Sequence, residues 1–158
     1  MSVRTDLPYR PCVGIMLLNA QGKVFTAQRI DTTAEAWQMP QGGIDDGEAP
    51  IDAALRELRE ETGVTEVSLL AELEEWLNYD LPADLVPKLW GGKFRGQTQK
   101  WFAFRLKADD SHINIETSEP EFRAWQWTAL EDLPSMIVPF KRALYAELVE
   151  RFRPLLTK

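Results

Sequence analysis

A chain of 158 residues, 44% hydrophobic and 27% charged, has the size and balance of one globular domain with a proper core, so residues 1–158 are read as a single domain. The formal net charge of −7 argues against a duplex DNA binder, which needs a broad cationic surface to displace counterions; any phosphate contacts must come from local clusters of cations. No apolar run reaches the roughly 20 residues of a membrane span, the opening residues lack the apolar segment of a secretory signal, and one cysteine makes no internal disulfide, so the expectation is a cytoplasmic protein without a membrane partner, monomeric or weakly oligomeric.

Residues 12–19 read as a strand, 19–22 as a four-residue turn and 23–30 as the antiparallel partner, with Cys12 a buried, inert thiol. Residues 31–36 form a polar loop. From Gly42 a glycine-punctuated acidic loop turns at Glu48-Ala49-Pro50 into a helical pattern that stops at Gly63, a residue type that tolerates the positive φ of a helix cap. Residues 67–73 fit another strand, and an irregular stretch opens at Tyr79.

Residues 86–108 reverse the charge of the chain: Lys88, Lys93, Arg95, Lys100, Arg105 and Lys107 occur without one acidic residue. Trp90, Phe94, Trp101, Phe102 and Phe104 are interleaved with them, as stacking on bases and clamping phosphates require. Beyond Lys100 the alternation is that of a covered strand; up to Lys100 the segment reads as a substrate-facing loop. His112, the one histidine, lies in a polar loop and offers no nucleophilic chemistry. Residues 113–115 read as a short strand and 121–128 as a longer one with Trp125 and Trp127 in the core, preceded by Glu119 and Glu121 on a loop. Residues 140–152 form a helix whose stripe is Phe140, Leu144, Leu148 and Phe152; Lys141 and Arg142 in its opening turn either meet an anion or are solvated. Hairpin strands with two separated helices indicate an α+β fold, a sheet packed between helices.

On the helix after Pro50, Ile51, Leu55, Leu58 and Thr62 share a side and would face the core, while Glu57, Glu60 and Glu61 converge elsewhere and Arg56 can reach Asp52 and Glu60. One reading is a solvated, salt-bridged face. It leaves Glu57 and Glu61 as like charges at i, i+4, costing roughly 0.2–0.5 kcal/mol, with no basic partner at helical spacing. The other reading is a site for a hard divalent cation, which takes carboxylate oxygens, keeps several waters and binds jointly with phosphates. Helix chemistry alone leaves both open.

The spacing adds more. Five residues separate Gly42 from Glu48 and seven more precede Arg56-Glu57-Leu58-Arg59-Glu60-Glu61-Thr62-Gly63-Val64. This resembles the Nudix box, the signature of hydrolases that cleave nucleoside diphosphates linked to another moiety, with every defining position filled. Tyr9-Arg10-Pro11, Trp37-Gln38-Met39-Pro40, Tyr79-Asp80-Leu81-Pro82, Gly96-Gln97-Thr98-Gln99-Lys100, Pro120-Glu121-Phe122 and Phe140-Lys141-Arg142 look like the bacterial RNA pyrophosphohydrolase branch, which also contains dinucleoside polyphosphate hydrolases.

The resemblance implies an α/β/α sandwich, a mixed sheet between helices with the box as a loop-helix-loop. It implies Mg²⁺, replaceable by Mn²⁺ or another divalent cation, on Glu57 and Glu61 as principal ligands, with Glu60 holding a further ion and a backbone carbonyl at Gln41 or Gly42 added. Glu121 becomes the general base or an auxiliary ligand, with Glu119 as its nearest competitor; Arg56 orients the glutamates and Glu48 braces the loop. Arg29, Gln97, Gln99 and Lys100 match phosphate contacts, Val138, Phe140 and Lys141 a nucleobase pocket, and Tyr79 a stacking surface. The expected partner is a nucleotide or an RNA 5′ end, and the expected reaction is removal of pyrophosphate from 5′-triphosphate RNA. Cys12, Met39 and Thr98 depart from the residues frequent in RNA-directed members, so asymmetrical cleavage of diadenosine tetraphosphate stands as the alternative main activity. A third reading, a nucleotide-binding module without catalysis, is opposed by the intact Glu57, Glu60 and Glu61.

Overall fold

The computed structural model of the protein describes residues 6–31 and 35–156; part of the polar loop expected over 31–36 therefore lies outside the described residues. In chain order the elements are β1 (Tyr9–Leu18), β2 (Val24–Arg29), β3 (Gln41–Gly43), α1 (Pro50–Thr62), β4 (Val67–Glu72), β5 (Leu77–Asp80), β6 (Gly96–Leu106), β7 (Phe122–Thr128), α2 (Leu133–Met136) and α3 (Arg142–Leu156). The sheet runs β4-β6-β1-β2-β7, with β3 added to β1 and β5 to β6. It is mixed: β1 and β6 are parallel, from Tyr9 opposite Gly96 to Leu18 opposite Arg105, and the other pairs are antiparallel. That long parallel pairing is why β1 starts at Tyr9, three residues before the apolar run that announces it.

Alternation along the strands makes two cores. Val13, Ile15 and Leu17, with Phe25, Phe102 and Phe104, pack on Ala53, Ala54 and Leu58 of α1. Met16, Leu18, Trp101 and Ala103 pack on Leu144, Tyr145, Leu148 and Phe152 of α3 on the opposite face. The result is the expected α/β/α sandwich. Gly14 sits where the Trp101 indole crosses β1; a Cβ there would lie 2.3 Å from the ring. No helix among the described residues is long and apolar enough to cross a membrane.

Several expectations are corrected. The stripe of α1 is rotated: Leu55 is 39% exposed, while Ala53, Ala54, Leu58, Glu61 and Thr62 are buried. The two alanines let the helix lie close on the sheet, and Glu61 is carried inward with them. The segment at Tyr79 is not irregular, because Leu77–Asp80 pairs with β6, so Gly96 to Lys100 are strand residues and not a loop. Residues 113–115 form no strand; Asn114 N–H donates to Thr62 O at 2.7 Å and fastens the loop to the end of α1. Trp125 and Trp127 are half-buried on the outermost strand, stacked and edge-on against Phe25. The last helix begins at Arg142, and Phe140 and Lys141 lie in a 3₁₀ turn, Pro139–Lys141, before it. The turn after β1 holds five residues, with Asn19 Oδ1 accepting from the backbone of Gln21 and Lys23.

Candidate active site

The loop from β3 to α1 is held by one guanidinium. Arg56 donates to both oxygens of Glu48 at 2.8 and 2.9 Å, to Glu57 at 2.8 Å, to Glu60 at 3.3 Å and to the Gly43 carbonyl at 2.9 Å. Its partners include Glu60, as the helical spacing suggests, but the rest lie in the loop and at the adjacent Glu57; the expected pairing with Asp52 does not form. Glu48 also accepts from Asp45 N–H, and Arg56 above all pulls its carboxyl down to about 2. Glu48 thus fixes the loop and stays ionised.

Glu57 lies across Gly42: a Cβ at that position would be 2.1 Å from the carboxyl carbon, so the strand must carry glycine there. Burial raises its pKa, with Arg56 opposing and the charges of Glu60 and Glu121 adding. Glu61 is only 2% exposed, and neither carboxylate oxygen has a hydrogen-bond donor. Burial raises its pKa well above the usual carboxylate range, and the neighbouring charges of Glu121 and Glu57 raise it further. Glu121 is exposed, on a loop clamped by Ile30 N–H donating to its carbonyl at 2.8 Å. The structure thus unites Glu57, Glu61 and Glu121 and leaves Glu60 half-exposed at the rim.

A buried carboxylate without a donor is costly, on the order of several kcal/mol, and persists where something cationic completes it. Oxygen donors of this kind suit a hard divalent cation. Among the described residues no three His, Cys, Asp or Glu side chains close into a cage. An open set of that sort fits an ion that keeps water and shares substrate phosphates. Of the two carbonyls expected to assist, the β1–β3 register separates them. Ile15 N–H donates to Pro40 O, and Ile44 N–H to Pro11 O, so alternation turns Gly42 toward β1 and points the carbonyls of Gln41 and Gly43 outward. Arg56 takes Gly43, which leaves Gln41.

The remaining candidates fall on the α3 face or away from the cleft. The Lys141 ammonium lies 5.1 Å from the Tyr79 ring centroid and 6.0 Å from that of Phe140, and the two rings are 6.0 Å apart. Lys141 is 8% exposed, and burial, with Arg29 nearby, pushes its ammonium down to about 8. Val138 is half-buried beside it and borders a cavity of about 410 Å³ with Trp37, Ile137 and Arg142. Gln97 and Gln99 are buried in β6. The Gln99 amide donates to Gln41 and Gln97, and its carbonyl accepts from the Trp101 indole, so Gln99 orients its neighbours and has no hydrogen left for a phosphate.

Arg29 lies near Glu61 and Glu121, but Asp31, two residues on, holds its guanidinium at 2.8 and 2.7 Å. Lys100 does not reach the acidic cleft. Its ammonium is tied to Leu73 O at 2.5 Å and to Glu72 at 3.2 Å, because β4 and β5 flank β6 and the start of the β4–β5 connection lies within reach. Other cations of the basic segment are also structural: Arg95 pairs with Asp80 and stacks on Tyr9, and Arg105 donates to Asn19 O at the far end of the sheet.

Sequence reasoning misses Asp31, Arg10 and Thr117. Arg10 stacks on Trp90 at 5.3 Å and lies against Gly43; the parallel pairing of β1, invisible to periodicity, puts it there. Thr117 lines, with Arg59, Glu60, Glu61 and Glu121, a cleft of about 440 Å³. A single threonine in a polar loop gives no signal.

The NUDIX domain model matches residues 8–148. The RNA pyrophosphohydrolase of Roseobacter denitrificans is 58% identical over 148 residues, covering 92% of this chain and 92% of the relative. That of Sphingopyxis alaskensis is 56% identical over 151 residues, covering 94% and 96%. Among solved structures, the E. coli dihydroneopterin triphosphate pyrophosphohydrolase superposes with a TM-score of 0.67 at 18% identity, covering 91% of this chain and 99% of that one. A C. elegans Ap4A hydrolase does so with 0.65 at 20% identity, covering 92% and 97%; both likenesses concern the fold alone.

Proposed function

This chain belongs to the NUDIX family, and on that premise we propose that it is a Mg²⁺-dependent pyrophosphohydrolase that removes pyrophosphate from the 5′-triphosphate end of RNA. Relatives more than half identical over nearly the whole chain carry that name, which supports the choice of substrate. The observation that carries the chemistry is Glu61, a sealed carboxylate without a donor beside Glu57 and Glu121.

When bound, Mg²⁺, or Mn²⁺ in its place, neutralises phosphate oxygens and acidifies a water. Glu57 and Glu61 hold it, with the Gln41 carbonyl as backbone ligand and Glu60 at the rim for a further ion. Arg56 fixes Glu57 against Gly42, so the carboxylates are set before substrate arrives and little ordering is left to be done on binding. Glu121, on its clamped loop, takes the proton of the attacking water; the new P–O bond forms as the anhydride P–O bond breaks and pyrophosphate leaves. Lys141, Phe140 and Val138 receive the first nucleotide, Tyr79 offers a ring face, and Gln97, oriented by Gln99, faces the phosphates. Arg29 is released to them when it exchanges Asp31 for a phosphate oxygen.

Competing 5′-triphosphate RNA with diadenosine tetraphosphate in one reaction tests the assignment, since specificity is the ratio of kcat/KM values. The proposal predicts a ratio favouring RNA. A ratio favouring the dinucleotide makes asymmetrical cleavage the main activity, and no metal-stimulated release from either substrate leaves a binding module.

A further inference from the structure

Glu61 is not the one orphan in the cleft. The Thr117 hydroxyl is sealed from solvent and has no hydrogen-bond partner, although Thr117 borders the same cavity as Glu61 and Glu121. A buried hydroxyl left unmade costs about 1–3 kcal/mol, and native structures accept that mainly where a ligand, ion or water completes it. Thr117 is not there by accident of a loose loop: Asn114 N–H is bonded to Thr62 O at the end of α1, three residues upstream, and Glu121 O is bonded to Ile30, four residues downstream. The segment is therefore pinned at one end to α1, which carries Glu57 and Glu61, and at the other to the residue that follows β2.

A hydroxyl is both a donor and an acceptor, which no carboxylate here can be while ionised. From this we infer that Thr117 completes the cradle of the attacking water: its Oγ1 accepts the hydrogen of the water that is not taken by Glu121. One water brought in with the metal and substrate then gives the hydroxyl its missing partner. The water's other proton goes to Glu121, its lone pair goes to phosphorus, and the anhydride oxygen leaves with pyrophosphate. The inference rests on the functional reading above and adds to it a residue that touches the nucleophile.

Thr117→Val keeps the shape and removes the hydroxyl; Thr117→Ser keeps the hydroxyl. Three quantities are read on the full-length protein: the melting temperature without added metal, the calorimetric affinity for Mn²⁺, and kcat and KM on 5′-triphosphate RNA. Thr117→Val is expected to melt no lower than the wild type, since no hydrogen bond is lost and an unmet buried hydroxyl is removed. It should bind Mn²⁺ within about twofold, keep KM, and lose about 10–100-fold in kcat, as when a partner that orients a metal-site group is removed. Thr117→Ser should recover most of that loss. Unchanged kcat in Thr117→Val overturns the inference, as does a drop in melting temperature of more than about 5 °C, which marks a hydroxyl bonded for structure. Should the valine variant not fold, Thr117→Ser decides: a serine variant that melts like the wild type yet loses about 10-fold or more in kcat overturns the inference. A wild type that releases no pyrophosphate sinks the functional reading and this inference together, whereas an active wild type with an equally active valine variant sinks this inference alone.

Discussion

Replacing Lys141 by Met is expected to stabilise the protein and disable substrate binding. The ammonium is buried against Tyr79 and Phe140, and its pKa falls from the ordinary 10.5 to about 8. Below about pH 8 the folded and unfolded chains both carry the charge, and the folded state bears the full cost of burying it, on the order of 3 kcal/mol. Between about 8 and 10.5 the unfolded chain holds a proton that the folded one has released, so this group makes stability rise with pH across that window. Methionine has similar length and no charge. It forfeits the contacts of the cation with the rings, about 0.5–2 kcal/mol, leaving a net gain of about 1–3 kcal/mol at pH 7. Urea melts of both proteins at pH 7, 8, 9 and 10 read the difference directly, because groups common to both cancel. The gain should be largest at pH 7 and shrink toward pH 10, while KM for 5′-triphosphate RNA rises. A Lys141→Met protein less stable than wild type at pH 7, by an amount that does not change with pH, refutes this reasoning.

Two further substitutions probe the frame of the site. Gly42→Ala pushes a methyl to within 2.1 Å of the Glu57 carboxyl carbon, so Glu57 must swing away; Mn²⁺ affinity by calorimetry should fall about 10–100-fold with modest loss of stability. Tyr145→Phe removes the acceptor of the buried Met39 N–H, bonded at 2.9 Å, and leaves that donor unmet; chemical denaturation should show a loss of about 1–3 kcal/mol.

Much of the site was legible because its parts are local. The spacing from Gly42 to Val64 placed three glutamates and Arg56 within two turns of one helix, and Gly63 caps that helix at φ +74 with its N–H on Arg59 O. Helical phase, however, cannot say how deep a helix lies: Ala53 and Ala54 carry too little hydrophobicity to mark the buried side, yet their small size rotates Leu55 outward and Glu61 inward. Strand β5 is short, ends in turn-like residues, and exists through its pairing with β6, a contact between segments some twenty residues apart that periodicity does not report. The same pairing turned Gln97 and Gln99 from loop residues into buried strand residues. Lys100 shows the general difficulty with cations in sequence: its charge is plain, but whether it meets a phosphate or Leu73 O depends on which strands flank β6.

The central claim is that the buried carboxylates of α1 drive cleavage of a phosphoanhydride. Its most direct test is pyrophosphate release from 5′-triphosphate RNA, with and without Mg²⁺, by the wild type and by Glu61→Gln. The account predicts Mg²⁺-dependent release by the wild type and loss of most turnover in a glutamine variant that folds at least as well, since a buried charge without a donor has been removed. Equal release by a folded Glu61→Gln protein would contradict it.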